Sequence, residues 1–312
     1  MSTVAVRWSD DVRRSYSQLI DTMLGQGAMA AAQSVSELAV QQEVWRHPLQ
    51  RPVHYHPSLD PVAVYDPADY WFCGYLEENY PQIRAELDAI TDPTSAGFLP
   101  VEEPLLGAGR WQQVTFYEAG HRFDDACERF PITASVIDAI PEAAAAGTGV
   151  VTLSWLYPGT RIVPHCGGTN ARLRVHLGLR VPEGPRLRVG DQILTWQEGR
   201  CIVFDDSFEH EVWHDGDQPR VVLLMDVNHP DLTDARLDAL LAGRQSYDAR
   251  VTSFLAERGF RRIEADGEAV RADLDEGHAS QVVRYLRERG ARAAELRDDG
   301  TLIFDLDNEV AQ

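Results

Sequence analysis

The amino-acid sequence predicts a mainly β protein, an antiparallel sandwich or barrel with flanking helices and a small α+β repeat at the C-terminal end. Short β-rich runs between Trp111 and Asn228 (WQQVTFY, VVTLSWLY, LRVHLGLRV, CIVFDD and RVVLLMDV) are separated by Pro, Gly and Asp clusters, which is the spacing of antiparallel strands. Helical spacing dominates before residue 95, and a near-repetition fills the chain after residue 245. The runs alternate imperfectly, as strands do when one face packs on a core and the other lines a pocket. Three regions follow: 1–95 as helices and an extended arm, 96–240 as the β domain, and 245–312 as the repeat.

Residues 10–45 carry Leu19, Ile20, Met23, Met29, Val35, Leu38 and Val40 at irregular helical spacing, so one or two helices are expected, interrupted at Gly25 and Gly27. Five prolines between Trp45 and Pro67 forbid a helix or central strand there and predict a surface arm. A helix follows, with Asp69 as its expected N-cap, Leu76, Tyr80, Ile83, Leu87 and Ile90 on one face, and Asp92-Pro93 as its stop. One short helix is expected around Ile132–Ile140. In the C-terminal region, Phe254-Leu-Ala-Glu-Arg-Gly is matched by Tyr285-Leu-Arg-Glu-Arg-Gly, and Asp266-Gly267 by Asp299-Gly300. Each copy reads as helix, glycine stop, strand, Asp-Gly turn, strand, and two copies can pair into a four-stranded sheet.

The chain has 312 residues, 44% of them hydrophobic and 25% charged, enough for a sizeable core. Its net charge of −20 argues against nucleic acid, since phosphate binding needs a cationic face. The four cysteines, Cys73, Cys127, Cys166 and Cys201, form no CxxC pair, so neither a zinc ribbon nor a disulfide framework is indicated. With no signal-peptide stretch at the start and no run of about 18 apolar residues, a cytoplasmic protein without membrane association is expected.

His165 follows the run VVTLSWLYPGTRIVP, His210 follows CIVFDDSFE, and Arg220 heads VVLLMDV. In a jelly-roll barrel, the ends of strands far apart in sequence converge at one mouth, where two neutral imidazoles suit divalent iron, copper or zinc. A tight turn after His210 would return the chain antiparallel and bring Arg220 to the same mouth, where its planar fork can clamp a carboxylate. A metal that binds a keto acid is the chemistry this set suggests.

The stretches His165-Cys-Gly-Gly-Thr-Asn-Ala-Arg-Leu-Arg-Val-His-Leu-Gly-Leu179, Thr195-Trp-Gln-Glu-Gly, Phe204-Asp-Asp-Ser-Phe-Glu-His-Glu-Val-Trp213 and Asp226-Val-Asn-His-Pro230, with Arg220 between the last two, resemble the aspartyl/asparaginyl β-hydroxylase family. The likeness extends more loosely back to Trp45 and does not cover the repeat. It implies a double-stranded β-helix of the cupin-like class and a dioxygenase using Fe(II), 2-oxoglutarate and O2. The implied metal ligands are His165 and His210, and the implied clamp for the distal carboxylate of 2-oxoglutarate is Arg220. Ser154 and His176 match positions that contact this cosubstrate, Arg174 matches a basic residue near the substrate carboxylate, and Arg122, in Gly120-His-Arg-Phe-Asp-Asp-Ala126, matches a substrate loop. Many related oxygenases carry an Asp or Glu two residues after the first histidine. Gly167 stands there, as it does in the family resembled, and Asp205 and Asp206 are expected to cap a turn instead of replacing it.

The expected reaction is hydroxylation of an unactivated C–H, at the β-carbon of an Asp- or Asn-like residue that is a free small molecule, peptidyl or carrier-bound. Halogenation remains open because a vacant ligand position can take chloride, as does a non-catalytic cupin-like module. The repeat, which holds one histidine and no cysteine, is expected to serve a protein partner or a homo-oligomer.

Overall fold

The computed structural model describes residues 8–101, 105–118, 121–140, 142–143 and 149–232, and beyond them the strand segments 261–266, 269–273, 294–296 and 301–305. Two helices open the chain, α1 (Asp10–Gly25) and α2 (Met29–Gln41), joined through Gly27, whose φ of 75° suits glycine. Ser9 caps the first by accepting from the Val12 amide. The Pro-rich segment is the expected arm and contributes one short strand, β1 (Val64–Tyr65). The next helix, α3, runs Trp71–Asp88. Asp69 does not cap it. Asp66 caps a preceding 3-10 turn, Pro67–Asp69, by accepting from the Ala68 amide, and Tyr70 stands at the N-cap of α3 without a side-chain bond. Pro67 at the first position of that turn moves the capping site three residues upstream.

The β region contains β2 (Leu99–Pro100), β3 (Leu106–Ala108), β4 (Trp111–Glu118), β5 (His121–Arg122), β6 (Val150–Leu156), β7 (Arg161–His165), β8 (Arg172–Arg180), β9 (Pro185–Val189), β10 (Gln192–Leu194), β11 (Cys201–Phe204), β12 (His210–His214) and β13 (Arg220–Asn228). Helices α4 (Asp124–Arg129) and α5 (Pro131–Asp138) sit between β5 and β6. The large sheet has the order β1-β11-β8-β13-β6-β4-β2, with β5 on β4, and the smaller one β10-β9-β12-β7-β3. All the pairings are antiparallel. This is the jelly-roll arrangement of a double-stranded β-helix.

Two apolar layers explain the imperfect alternation. Leu153, Val175, Leu177, Leu223 and Met225 project from one face of the large sheet and pack with Leu76, Ile83 and Leu87 of α3 and with α5. The opposite face meets the small sheet, where Leu156, Phe204, Val222 and Leu224 pack on Ile162, Leu187, Val189 and Val212. Burying each such side chain contributes about 1.5–3 kcal/mol. Between these apolar residues the same inner face carries Thr152, Ser154, Arg174, His176, Arg220 and Asp226, all placed there by the period of two.

The arm straps this barrel at one end. Arg51 N donates to Ser207 O at 3.1 Å, His54 N to Gly168 O at 2.9 Å, and Gln50 Nε2 to Asp205 Oδ2 at 2.8 Å. The loops following β7 and β11 are thereby tied to one segment. Beyond the barrel, β14 (Arg261–Asp266), β15 (Ala269–Asp273), β16 (Ala294–Leu296) and β17 (Thr301–Asp305) form a four-stranded antiparallel sheet in the order β14-β15-β17-β16. The helices and Asp-Gly turns expected in each copy lie outside the described residues. No described helix is long and apolar enough to cross a membrane.

Candidate active site

His165 ends β7 and His210 begins β12, and the two are direct cross-strand partners with ring centroids 4.1 Å apart. Each ring is pinned in the same way. Nδ1 of His165 lies 2.8 Å from the Val163 carbonyl and Nδ1 of His210 lies 2.9 Å from the Phe208 carbonyl. A carbonyl can only accept, so both rings donate from Nδ1, and in the neutral form this leaves Nε2 as the metal-binding nitrogen. Burial, followed by the neighbouring His165 and Arg174, holds His210 well below the usual histidine range and keeps it neutral. A pair of pre-oriented imidazoles is a donor set that fits a divalent transition metal. Among the described residues no cluster of three or more His, Cys, Asp or Glu offers a larger ligand set.

The position two residues after His165 is closed to a carboxylate. A Cβ on Gly167 would lie 2.4 Å from Oδ1 of Asp206. Asp206, 1% exposed, is held there by Arg174, whose Nη2 is 3.0 Å from Oδ2. Arg174 also grips Asp226 with two contacts, Nε to Oδ1 at 2.8 Å and Nη2 to Oδ2 at 3.1 Å, and Arg172 lies 3.6 Å from Asp226 and 3.7 Å from Asp206. Two guanidiniums and two carboxylates thus form a balanced group beside the histidines. Burial raises the Asp226 carboxyl, but Arg174 and Arg172 outweigh it and hold the group well below the ordinary carboxylate range. Asp205 caps its turn as expected, accepting from Ser207 N at 2.8 Å.

Arg220 is placed differently from the expectation. After β12 the chain crosses to the large sheet, where β13 pairs with β6 and β8 and not with β12. The crossing lies at the end of the barrel opposite His210, so Arg220 enters from the inner end while Asp226, on the same strand, returns to the histidine mouth. The six-residue separation spans about 20 Å of strand. His176 stands between, with Leu224 opposite it on β13. Burial lowers Arg220 to about 9, and the Arg220 and Arg174 charges add to burial in holding His176 well below the usual range.

Arg220 is 2% exposed and makes no ion pair among the described residues, its guanidinium lying 4.6 Å from the ring centre of Trp196. The buried Arg220 Nε, His176 Nε2 and Thr152 Oγ1 have no hydrogen-bond partner. Ser154, 2% exposed, accepts from Trp111 Nε1 at 2.9 Å, and His176 Nδ1 accepts from Trp196 Nε1 at 3.1 Å. Trp111, Trp196, Asp206 and Asp226 are thus site residues to which the motif reading assigned no such place. The placement of the oppositely charged Asp226 across from Arg174 in adjacent strands was the available signal. Arg122 lies apart from this group, paired with Asp124 and with Asp138 at 3.5 Å, in α4 and α5 on the helix-covered side.

Comparison with known proteins adds the lineage. The family model for aspartyl/asparaginyl beta-hydroxylase matches residues 77–230. Human aspartyl/asparaginyl beta-hydroxylase is 42% identical over 168 residues, 54% of this chain and 22% of that protein. Rat aspartate beta-hydroxylase domain-containing protein 2 is 35% identical over 201 residues, 62% of this chain and 58% of its own. The chain therefore spans about a fifth of the first relative and just over half of the second. A solved oxidoreductase of the 2OG-Fe(II) oxygenase family from Burkholderia pseudomallei superimposes over 56% of this chain and 96% of its own, at 13% identity and a TM-score of 0.36, too partial a match to add to the argument. His165, His210, Arg220, Ser154, His176 and Arg174 all fall inside the matched segment, so the similarity to the aspartyl/asparaginyl β-hydroxylase family lies over residues 77–230 and takes in each of them.

Proposed function

We propose that this chain is an Fe(II)- and 2-oxoglutarate-dependent dioxygenase that hydroxylates an unactivated C–H, at the β-carbon of an Asp- or Asn-like residue. One observation carries the reading: Arg220 is buried at the inner end of a barrel whose mouth holds two lone-pair imidazoles, with no described carboxylate beside it. Leaving a guanidinium unpaired in such a place costs several kcal/mol, and an elongated dianion reaching from the metal to Arg220 removes that cost. 2-Oxoglutarate has this shape and charge.

His165 and His210 would hold the metal through Nε2. When bound, iron with 2-oxoglutarate would supply the oxidant for the overall conversion of substrate C–H, O2 and 2-oxoglutarate to C–OH, succinate and carbon dioxide. Arg220 would pair with the distal carboxylate, with His176 and Ser154 as further donors along the cosubstrate. The apolar residues around them, Leu156, Phe204, Val222 and Leu224, exclude water from that channel. At the mouth, Arg174 would orient the substrate carboxylate or amide while Asp226 keeps its fork fixed. Arg122 would reach the substrate only by leaving its acidic partners, which makes it the weaker of the two anchors. The substrate is a small-molecule, peptidyl or carrier-bound amino acid.

The test is anaerobic addition of Fe(II) and 2-oxoglutarate to the purified chain. The charge-transfer absorption of a chelated keto acid should appear at one iron per chain, with succinate formed once O2 is admitted. Both should vanish in His210→Ala. Full succinate formation by that variant would overturn the assignment.

A further inference from the structure

We propose that Trp196 and Trp111 are positioning residues that turn the hydrogens of the 2-oxoglutarate pocket toward the cosubstrate, Trp196 through His176 and Trp111 through Ser154. The inference rests on the assignment of 2-oxoglutarate to this pocket. An indole N–H can only donate. Trp196 Nε1 donates to His176 Nδ1 at 3.1 Å, which leaves the single proton of this neutral ring on Nε2, and Nε2 is buried without a partner. Trp111 Nε1 donates to Ser154 Oγ at 2.9 Å, filling an acceptor site of the hydroxyl and directing its proton elsewhere. Ser154 and His176 lie on the inner face of β6 and β8, on either side of β13, which carries Arg220.

Three groups therefore present hydrogens: Arg220 and His176 Nε2–H, which have no lone pair to offer, and Ser154 Oγ–H, which has one of its two acceptor sites filled by Trp111. Such a pocket satisfies an ionised carboxylate, which only accepts. It disfavours a carboxamide, whose NH2 would face the hydrogens of Arg220 and His176 and be left buried without an acceptor from either. Trp196 acts on two of the three groups at once. Its ring lies nearly parallel to His176, at 16° and 6.0 Å, and also faces the Arg220 guanidinium. The turn that delivers it closes against β8 at Gly178, where a Cβ would lie 2.2 Å from the Gln197 carbonyl oxygen.

The experiment uses full-length protein loaded with Zn(II), which binds without turnover, and compares wild type with Trp196→Phe and Trp111→Phe. The phenylalanine ring keeps a six-membered face for Arg220 and loses the N–H along with the smaller ring of the indole. Nitrogen-15 spectra of labelled histidine should show His176 as the Nε2–H tautomer in wild type and in Trp111→Phe, and as a mixed or reversed tautomer in Trp196→Phe. Each variant should bind 2-oxoglutarate about tenfold more weakly, the value of one hydrogen bond, with zinc content unchanged. Preference for 2-oxoglutarate over its C5 amide should narrow by a similar factor. Wild-type binding together with a Trp196→Phe protein that keeps the Nε2–H tautomer and full affinity overturns this inference alone. Wild-type protein that takes up zinc but no 2-oxoglutarate overturns the cosubstrate assignment and the inference together.

Discussion

Asp206 fills the space that a side chain at position 167 would need: a Cβ on Gly167 would meet its Oδ1 at 2.4 Å, and the Gly167 amide donates to the Asp206 carbonyl at 2.6 Å. The absence of a third protein ligand after His165 is thus built into the packing of two loops. Arg174 and Arg172 keep the Asp206 carboxylate in place, so it cannot swing aside without leaving guanidinium charge uncompensated.

Gly167→Ala should therefore cost about 1–3 kcal/mol through overpacking against Asp206. In an Asp206→Ala background the same substitution should cost at least about 1 kcal/mol less, because the colliding carboxylate is gone. Urea unfolding of the four proteins of this cycle measures the coupling. Equal costs in both backgrounds would show that Asp206 is not what excludes a side chain there.

Arg220→Ala should retain iron and lose cosubstrate. The guanidinium stands at the inner end of the barrel, separated from the histidine mouth by His176 and Leu224, so metal affinity has no reason to change. Removing one partner of a buried charge pair costs about 3–5 kcal/mol, a hundredfold to a few thousandfold in the 2-oxoglutarate dissociation constant. Arg220→Lys should recover little, since an ammonium lacks the planar fork and the stacking on Trp196. Isothermal titration with metal-loaded protein checks both, and an unchanged constant for the alanine variant would move the clamp elsewhere.

The long strands of the large sheet were legible because both of their faces are covered, which writes Val, Leu and Phe densely into β6, β8, β11 and β13. The small sheet was not, because its outer face is open and β7, β9 and β12 carry Arg161, Arg186, Glu211 and Pro164 among few apolar residues. That omission had a consequence for Arg220. Without β12 assigned to the second sheet, a simple hairpin back to the mouth was the natural reading, and the crossing to the inner end could not be seen. The histidines were legible from their places at strand ends. The acidic partners of Arg174 and the tryptophan donors behind His176 and Ser154 depend on cross-strand register and loop closure, which a linear sequence does not express.

Asp205 gives the arm and the histidine loop a pH dependence. Burial, against the Ser207 contacts and the Gln50 hydrogen bond and with help from the Asp206 charge, raises its carboxyl from the ordinary 3.8 to about 7. The folded chain therefore binds a proton that the unfolded chain releases between about pH 4 and pH 7. Stability from this group is complete below the unfolded value and is lost as pH rises through the folded one, at up to about 1.4 kcal/mol per unit. Asp205→Asn cannot ionise and keeps a carbonyl for one of the two donors. Relative to wild type it should gain stability steadily from pH 5 to pH 7 and level off above, when chemical unfolding is followed at each pH. The arm should respond in step, since Gln50 is tied to Asp205: amide exchange of Arg51 and His54, whose N–H groups bond to Ser207 and Gly168, should quicken toward pH 8 in wild type beyond the intrinsic chemical rate and not in the variant. A stability difference that stays constant across this range would return the Asp205 carboxyl to its ordinary value and leave the strap indifferent to pH.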